Sequence, residues 1–307
     1  MGIMEAKEKQ LVQLKIEKAQ RFADEGKTLH SVQLYMKIIE EHPESLEACF
    51  GLAGLYEKLE NIDAAENLLS DLLEENSDNK DVRLFFGHFL FRQAKWNETI
   101  EVLSFFSPNE IPLASFFIGY SHYMLLEYEL ARISFENFVK SGKETEFLQD
   151  AFIYLAKTHI NLTNFDLALL YAKQAEAYYS NYYELHLLFA IIYYYLTMTA
   201  HAVTSIEKTL KLNKTDLSVN EWAGKIYLKS GDYKKAEKYL TKFIEESSEV
   251  SPEIYSHLGI TYLYTNKIKD AENYFNLALK FDPKNKVALE AVKNLEKLSQ
   301  KPVASDG

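Results

Sequence analysis

Apolar residues recur along the chain with the spacing of amphipathic helices, and these helices come in pairs of constant geometry. The clearest case places Gly259, Tyr262, Ala271, Phe275 and Ala278 at offsets 0, 3, 12, 16 and 19. Small residues at offsets 0 and 12, with large apolar residues nearby, indicate two helices that approach each other closely. The pattern predicts a helix–turn–helix unit, and we call the residue at offset 0 its anchor.

The same pattern fits seven further segments toward the N-terminus. Anchors follow one another at about 34 residues, although 32 residues separate Gly87 from Gly119 and 37 separate Gly119 from Ala156. A constant period of this length is typical of helical repeat arrays, whose units bury their apolar faces only by stacking on neighbours. The eight anchors are Ala19, Ala53, Gly87, Gly119, Ala156, Ala190, Gly224 and Gly259.

Each unit resembles a tetratricopeptide repeat (TPR), a helix–turn–helix of about 34 residues. The resemblance extends over nearly the whole chain and is most specific in the last two units. It implies an all-α fold, an α-solenoid that forms a right-handed superhelix of antiparallel helix pairs, as one continuous domain over residues 1–300. The repeats implied are residues 12–45, 46–79, 80–111, 112–148, 149–182, 183–216, 217–251 and 252–285.

An amphipathic helix is predicted over residues 286–299, after the eighth repeat. Such a helix would cover the apolar outer face of the last repeat, as the end of a repeat array requires. Its apolar face is predicted to consist of Val287, Leu289, Val292, Leu295 and Leu298. The remaining residues, 301–307, are predicted to form a disordered tail.

Composition narrows the possible classes of protein. Only 11 Gly and 6 Pro are present, which disfavours a turn-rich β-sandwich or barrel. The net charge of −11 disfavours nucleic acid as a partner, because that binding depends on Lys and Arg. A single cysteine, Cys49, excludes an internal disulfide and fits a reducing, cytoplasmic location. The longest apolar stretch, residues 187–198, is shorter than the roughly 18 residues that span a bilayer, so we expect no membrane insertion.

Sequence motifs for catalysis or metal binding are not found. The chain contains no glycine-rich phosphate loop, no His-Glu-x-x-His, no paired cysteines and no nucleophile elbow. His122 and His159 occupy offset 3 of two consecutive repeats, an aromatic position, so we expect them to pack rather than to bind metal. We therefore predict a protein with no catalytic residue, no metal and no cofactor. An enzyme without a known motif, or a groove for a small apolar ligand, remains an alternative.

A binding groove is implied by the resemblance, because the first helix of each repeat lines the concave surface in such proteins. Offsets −3, +1, +4 and +5 share one face of these helices. Those positions are apolar and aromatic in repeats 3 to 6 and more polar in repeats 1 and 7, which is typical of a binding patch with a polar rim. The predicted partner-binding residues are Leu84, His88, Phe91, Arg92, Phe116, Tyr120, Tyr123, Met124, Ile153, Lys157, Leu187, Ile191, Tyr194 and Tyr195.

Within this set, four tyrosines are expected to supply most of the contact area, because their hydroxyls favour the edge of an apolar surface. They are Tyr120, Tyr123, Tyr194 and Tyr195. Arg92 and Lys157 are expected to orient the partner. Phe116 and Leu187 have an alternative role, in which they pack against the neighbouring first helix.

The sequence thus predicts a non-enzymatic scaffold that holds an extended or helical segment of a partner protein in its groove. The alternative is a structural protein whose copies self-associate and cover the apolar groove. Partner identity and oligomeric state do not follow from the sequence.

Overall fold

The computed structural model describes residues 2–108, 110–141, 146–213 and 215–299. The predicted tail, residues 301–307, lies outside the described residues. All regular structure in the described residues is α-helical, in seventeen helices, which confirms the predicted all-α class. The helices fall into two compact units that divide between residues 143 and 144.

The first unit consists of four helix pairs. Its helices are α1 (Gly2–Asp24), α2 (Thr28–Glu41), α3 (Leu46–Lys58), α4 (Ile62–Glu75), α5 (Lys80–Arg92), α6 (Trp96–Leu103), α7 (Pro112–Met124) and α8 (Tyr128–Lys140). Each first helix packs on its own second helix, and each second helix packs on the first helix of the next pair. First helices of neighbouring pairs also touch, as α1 touches α3 and α5 touches α7.

The second unit repeats this arrangement four times and adds one helix. Its helices are α9 (Leu148–Asn161), α10 (Phe165–Glu176), α11 (Tyr183–Tyr195), α12 (Thr199–Leu212), α13 (Leu217–Ser230), α14 (Tyr233–Glu246), α15 (Pro252–Tyr264), α16 (Ile268–Phe281) and α17 (Lys286–Ser299). The first helices α9, α11, α13 and α15 form a continuous row, each in contact with the next.

Helix α1 is longer than the first helix of the other pairs. It has 23 residues and begins at Gly2, ten residues before the predicted start of repeat 1. The extension is rich in Glu, Lys, Gln and Ala, which have high helix propensity. No described helix, α1 included, combines the length and the apolar composition needed to cross a lipid bilayer.

Every turn between paired helices has one residue in the left-handed conformation, always at offset 7. Glycine occupies this position in two repeats, as Gly26 (φ 73°) and Gly231 (φ 82°). In the other repeats the left-handed residues are Glu60, Ala94, Leu126, Thr163, Thr197 and Asn266. The N–H at offset 8 donates to the carbonyl oxygen at offset 3 in all eight turns, for example from Asp232 to Tyr227 at 3.0 Å. This is the Schellman arrangement, which closes the first helix with a turn of one defined length.

The glycine anchors confirm the predicted close approach of the two helices in a pair. A Cβ atom built on Gly259 would lie 2.7 Å from Cε1 of Phe275, and one built on Gly224 would lie 2.5 Å from Cδ2 of Leu240. The side chain at offset 16 therefore fills the space above the anchor of its own pair. This space exists only because the anchor has no side chain, since protein cores are close-packed.

The capping helix α17 is present where it was predicted, and it packs on α15 and α16. Its predicted apolar face is wrong in part. Ala288 is buried and lies in a cluster with Val292 and Leu295, whereas Val287 and Leu289 are 48% and 47% exposed. Residues 288, 292 and 295 are four and three apart and share one stripe of the helix, while residues 287 and 289 flank that stripe on opposite sides.

Candidate functional site

The predicted binding residues lie on α5 and α7 in the first unit and on α9 and α11 in the second. Exposure depends on the offset. Residues at offset +5 are exposed in all four helices, and those at +1 and +4 are half-buried or exposed. At offset −3, three predicted residues are buried. Their relative solvent exposure is 4% for Phe116, 3% for Ile153 and 8% for Leu187. The prediction that these three present a binding surface is therefore corrected.

These buried residues lie inside the stack of helices, where Phe116 and Leu187 pack on other helices and do not face solvent. The ring of Phe116 lies 5.9 Å from that of Phe135 and 5.5 Å from that of Phe138, both on α8. Leu187 belongs to a buried cluster with Ala223 and Ile226 of α13. The alternative role, packing against the neighbouring first helix, is observed for Leu187, whereas Phe116 packs on the second helix of its own pair.

The first aromatic cluster, in the first unit, consists of Phe91, Trp96 and Tyr120, with the buried Phe117 beneath them. Ring centroids are 5.6 Å apart for Phe91 and Trp96, 5.1 Å for Phe91 and Tyr120, and 5.6 Å for Trp96 and Tyr120. Phe91 also lies 4.7 Å from Phe117, on which His88 stacks at 4.9 Å. Trp96 begins the second helix α6, so it does not follow from the pattern of the first helices.

Arg92 is held by a neighbouring first helix. Its Nε donates to Oε1 of Glu57 at 2.9 Å and its Nη2 donates to Oε2 at 2.7 Å, while Gln93 donates to the same carboxylate at 2.9 Å. These hydrogen bonds lower the pKa of Glu57. Burial and the Arg92 charge lower the pKa of His88. The guanidinium thus ties α5 to α3 in a bidentate pair, which has a more defined geometry than a single contact.

The other predicted residues of the first unit border this cluster. The ring of Tyr123 packs on that of Tyr128 at 5.7 Å and is half-buried. Met124 is exposed, and Leu84 is half-buried. Tyr120, Tyr123 and Met124 therefore form the solvent edge of α7.

The second aromatic cluster, in the second unit, consists of Phe165, Tyr194, Tyr195 and Trp222. Trp222 lies 5.6 Å from Tyr194 and 5.9 Å from Tyr195, both edge-to-face. Lys229 holds Tyr194 from the next first helix: its Nζ donates to the Tyr194 carbonyl at 2.7 Å and lies 4.3 Å from the ring centroid. Trp222 was missed because it stands at offset −2, beside the predicted face.

Stacked ring pairs join consecutive repeats of the second unit. Phe165 stacks on Tyr195 at 4.7 Å, with 6° between the planes, and Tyr233 stacks on Tyr264 at 4.3 Å, with 2°. In both pairs the first ring is at offset 9 and the second at offset 5 of the next repeat. Aromatic residues at these two offsets are the signal that could have revealed the pairs.

Lys157 is half-buried, with its Nζ 4.8 Å from the ring centroid of Tyr154. Burial lowers the pKa of the Lys157 ammonium, and the nearby carboxylates of Glu184 and Asp150 oppose that shift. Ile191 is half-buried against the cluster that contains Leu187. Lys157 is therefore balanced by acidic neighbours on its own unit.

A cavity of about 340 Å³ lies on the first helices of repeats 1 and 2, outside the predicted groove. Ile16, Gln20, Tyr35 and Phe50 line it together with Gly54, which occupies offset +1 without a side chain. This cavity was not predicted from the sequence. It arises where the glycine at offset +1 leaves space between two neighbouring first helices.

Residues with possible metal or nucleophilic chemistry are engaged in packing. His122 Nδ1 lies 2.7 Å from Oε2 of Glu127, and the buried His159 stacks on Tyr171 at 5.3 Å. Cys49 is buried, and burial raises the pKa of its thiol. In the part of the chain that the structure describes, no three or more His, Cys, Asp or Glu side chains are placed to hold a metal ion.

Helix pairs with a common anchor contact and a common left-handed turn define an α-helical repeat protein. Two families, both described as "Tetratricopeptide repeat", match residues 22–84 and residues 217–249 and 252–285. No curated protein sequence is significantly similar to the chain.

Solved structures share the fold. A chain of the APC/C hetero-tetramer Cut9-Hcn1 is 17% identical with a TM-score of 0.61; the match covers 87% of this protein but only 52% of that chain. The C-terminal part of a TPR repeat-containing protein from Cytophaga hutchinsonii is 17% identical with a TM-score of 0.54, covering 79% of this protein and 99% of that chain. The two matches and the seventeen described helices fit a TPR protein of about eight repeats with a capping helix. Such repeats support a role as a protein-interaction scaffold in general.

Proposed function

We propose that this protein is a non-enzymatic, cytoplasmic scaffold that binds segments of partner proteins. The first aromatic cluster would be a binding surface of the first unit, and the second aromatic cluster a binding surface of the second unit. The proposed binding residues are those predicted from the sequence on each unit, without the buried Phe116, Ile153 and Leu187. The observation that carries the proposal is the second cluster, where Tyr195 keeps 42% of its exposure although three other rings surround it.

Rings that are held in place before binding favour this function. Tyr194 is fixed by Trp222 and Lys229, and Tyr195 is fixed by Phe165 and Trp222. A partner that packs on these rings does not have to immobilise them, so less conformational entropy is lost on binding. Large aromatic side chains also supply the most contact area per residue and dominate binding energy at protein interfaces.

The surroundings of the second cluster supply a polar rim. Lys225 pairs with Glu221 at 2.8 Å and lies 4.8 Å from the ring centroid of Trp222. Charged groups around an aromatic centre are typical of interfaces, which combine an apolar centre with a polar rim. We therefore expect the partner segment to place apolar or aromatic side chains on the rings and polar groups at the rim.

The experiment compares affinity capture by the wild type with capture by a Tyr120→Ala/Tyr194→Ala variant, which removes one ring from each cluster. The matched control is Tyr178→Ala/Tyr179→Ala, which removes two tyrosines that are 53% and 54% exposed and lie outside both clusters. Partners are expected to be lost from the cluster variant and retained by the control, with equal helicity by circular dichroism.

Identical partner lists for the wild type and the cluster variant, at unchanged helicity, would overturn the proposal. Light scattering over a concentration series identifies the case in which the partner is a second copy of the chain. In that case the mass of the wild type rises with concentration and the mass of the cluster variant does not.

A further inference from the structure

Three of the four repeats in the second unit fill the same space with a tyrosine. At offset 15, on the second helix, a tyrosine packs on the aromatic ring at offset 3 of its own first helix. The pairs are Tyr171 on His159 at 5.3 Å, Tyr239 on Tyr227 at 5.7 Å and Tyr274 on Tyr262 at 5.5 Å. Repeat 6 has Ser205 at this position, beside Tyr193 at offset 3.

The missing ring leaves a cavity of about 280 Å³ between α10, α11 and α12. Ser205 and the ring of Tyr193 line it, and Ser205 itself is buried. The residues that line the cavity lie on three packed helices and not on a loop. The ring of His201 lies 5.2 Å from that of Tyr193, and a tyrosine at position 205 would narrow the remaining space.

Lysine and histidine side chains surround this cavity. Lys173, Lys208, His186 and His201 line it, with Glu176 as the one lining carboxylate. Neither lysine is in an ion pair with any carboxylate of the described residues. The cavity is thus locally basic in a chain whose net charge is −11.

We propose that the cavity beside Ser205 binds a phosphate group, either as a free phosphate ion or as part of a phosphorylated side chain of a partner. The two ammonium groups attract the anion, while the two imidazole rings and the Ser205 hydroxyl offer further hydrogen bonds. Phosphate presents at least three strong acceptor oxygens and fits such a set of donors better than a carboxylate with two. Lysine is a common phosphate-binding residue because it acts as a compact point charge.

Effects of opposite sign act on the pKa of His186. Burial and the charge of Lys208 lower the pKa of His186, while Glu176 and a hydrogen bond with the Ser180 backbone oppose that shift. Lys173 on α10, His201 on α12 and Tyr193 on α11 complete the titratable groups that line the cavity. A bound phosphate would reverse the balance and raise the pKa of His186, because an adjacent anion favours the imidazolium.

The first test titrates inorganic phosphate into the wild type and follows the side-chain NMR signals of His186 and His201. Ser205→Tyr fills the cavity as Tyr239 does in the next repeat, and Ser205→Ala leaves the cavity open. We expect saturable shifts in the wild type and in Ser205→Ala, and no shifts in Ser205→Tyr. Equal phosphate binding by Ser205→Tyr and the wild type would overturn the proposal.

The second test separates a defined site from general attraction to lysines. Lys173→Gln/Lys208→Gln removes the two charges of the cavity, and Lys234→Gln/Lys238→Gln removes two exposed charges from the second helix of the next repeat. We expect the first variant to weaken phosphate binding by about tenfold per lysine, and the control to change it by less than about twofold. Equal weakening by both variants would overturn the proposal. These variants change only surface lysines, so they keep the test decisive if Ser205→Tyr fails to fold.

The two sources of phosphate are distinguished by a third titration with a short phosphoserine peptide and its unphosphorylated form. Tighter binding of the phosphopeptide than of inorganic phosphate, lost in Lys173→Gln/Lys208→Gln, assigns the cavity to a partner's side chain. Binding of inorganic phosphate alone assigns it to a free ion. Binding of both peptide forms with equal affinity, or of no probe at all, contradicts the proposal.

Discussion

The ring of Phe165 lies parallel to that of Tyr195, 4.7 Å from it, and so joins α10 to the end of α11. Tyr195 remains 42% exposed, so its position in solution depends on this contact and on Trp222. Phe165→Ala should lower the free energy of unfolding by about 1 kcal/mol beyond the loss of buried area, which is typical for a stacked aromatic pair. Urea denaturation measures this change.

The matched control is Phe165→Tyr, which keeps the stacked ring and should leave the free energy of unfolding nearly unchanged. If Phe165→Ala and Phe165→Tyr denature at the same urea concentration, the stack contributes nothing and Tyr195 is held by other contacts.

Two glycines in helix interiors should respond to alanine in opposite directions. A Cβ on Gly259 would lie 2.7 Å from the Phe275 ring, whereas nothing lies within 4 Å of a Cβ on Gly54. Gly259→Ala should therefore destabilise the protein by about 1–3 kcal/mol through overpacking. Gly54→Ala should stabilise it by up to about 1 kcal/mol, because alanine has the higher helix propensity. Thermal and urea unfolding of both variants test this, and a stabilising Gly259→Ala would contradict the close packing at the anchor.

The left-handed turn residues offer a route to greater stability. Thr197 has φ 58°, a conformation that a β-branched residue adopts only at a cost. Thr197→Gly should raise the free energy of unfolding by about 1 kcal/mol, since glycine adopts this conformation without a steric penalty. The reverse change, Gly231→Ala, should lower the free energy of unfolding by a similar amount, because its φ of 82° is unchanged and its Cβ would meet no neighbour. Urea midpoints that move the other way in either variant would show that the turn is not strained.

Acidification should weaken the fold through three histidines whose pKa values are lowered by burial. Burial lowers the pKa of His88, His186 and His257 below the usual 6.5. In the window between those lowered values and 6.5 the unfolded chain binds more protons, so the free energy of unfolding falls as the pH drops through it. The pKa of Glu57 is lowered from 4.5, so its contribution is lost only at more acidic pH.

The measurement is the urea midpoint at about pH 7.5 and at about pH 5.5, for the wild type and for His257→Gln. Glu253 and Glu221 favour the protonated form of His257, while burial and Lys225 oppose it, and burial has the largest effect. His257→Gln should therefore show a smaller drop in midpoint than the wild type. An equal or larger drop would mean that burial of this histidine does not couple stability to pH.

The helical repeats could be predicted from the sequence because their determinants are local and recur eight times. Within a pair, the large residue at offset 16 lies over the small anchor at offset 0, as the contact between the Gly259 position and Phe275 illustrates. The exposed members of the candidate site were also predictable, since offset +5 always points outward. The burial of three residues at offset −3 could not be predicted from the helical face alone. Phe116, for example, lies on that face but packs against α8.

Contacts between elements explain the other misses. Trp96 lies on a second helix and Trp222 beside the predicted face, so neither follows from the periodicity of first helices. The cavity beside Ser205 could not be inferred from the sequence alone. It becomes apparent only from the structure, where Tyr239 packs on Tyr227 in the next repeat and Ser205 has no ring at the equivalent position.

The turn at offset 7 also determines where the chain tolerates added length. Because the offset 8 to offset 3 hydrogen bond is present in every pair, an insertion between Gly231 and Asp232 would shift α14 along α13 and separate Tyr239 from Tyr227. Joints between pairs lack this constraint, and the anchor intervals of 32 and 37 residues show that they already vary. An affinity tag or reporter peptide inserted within residues 247–251, between α14 and α15, would leave both neighbouring pairs intact.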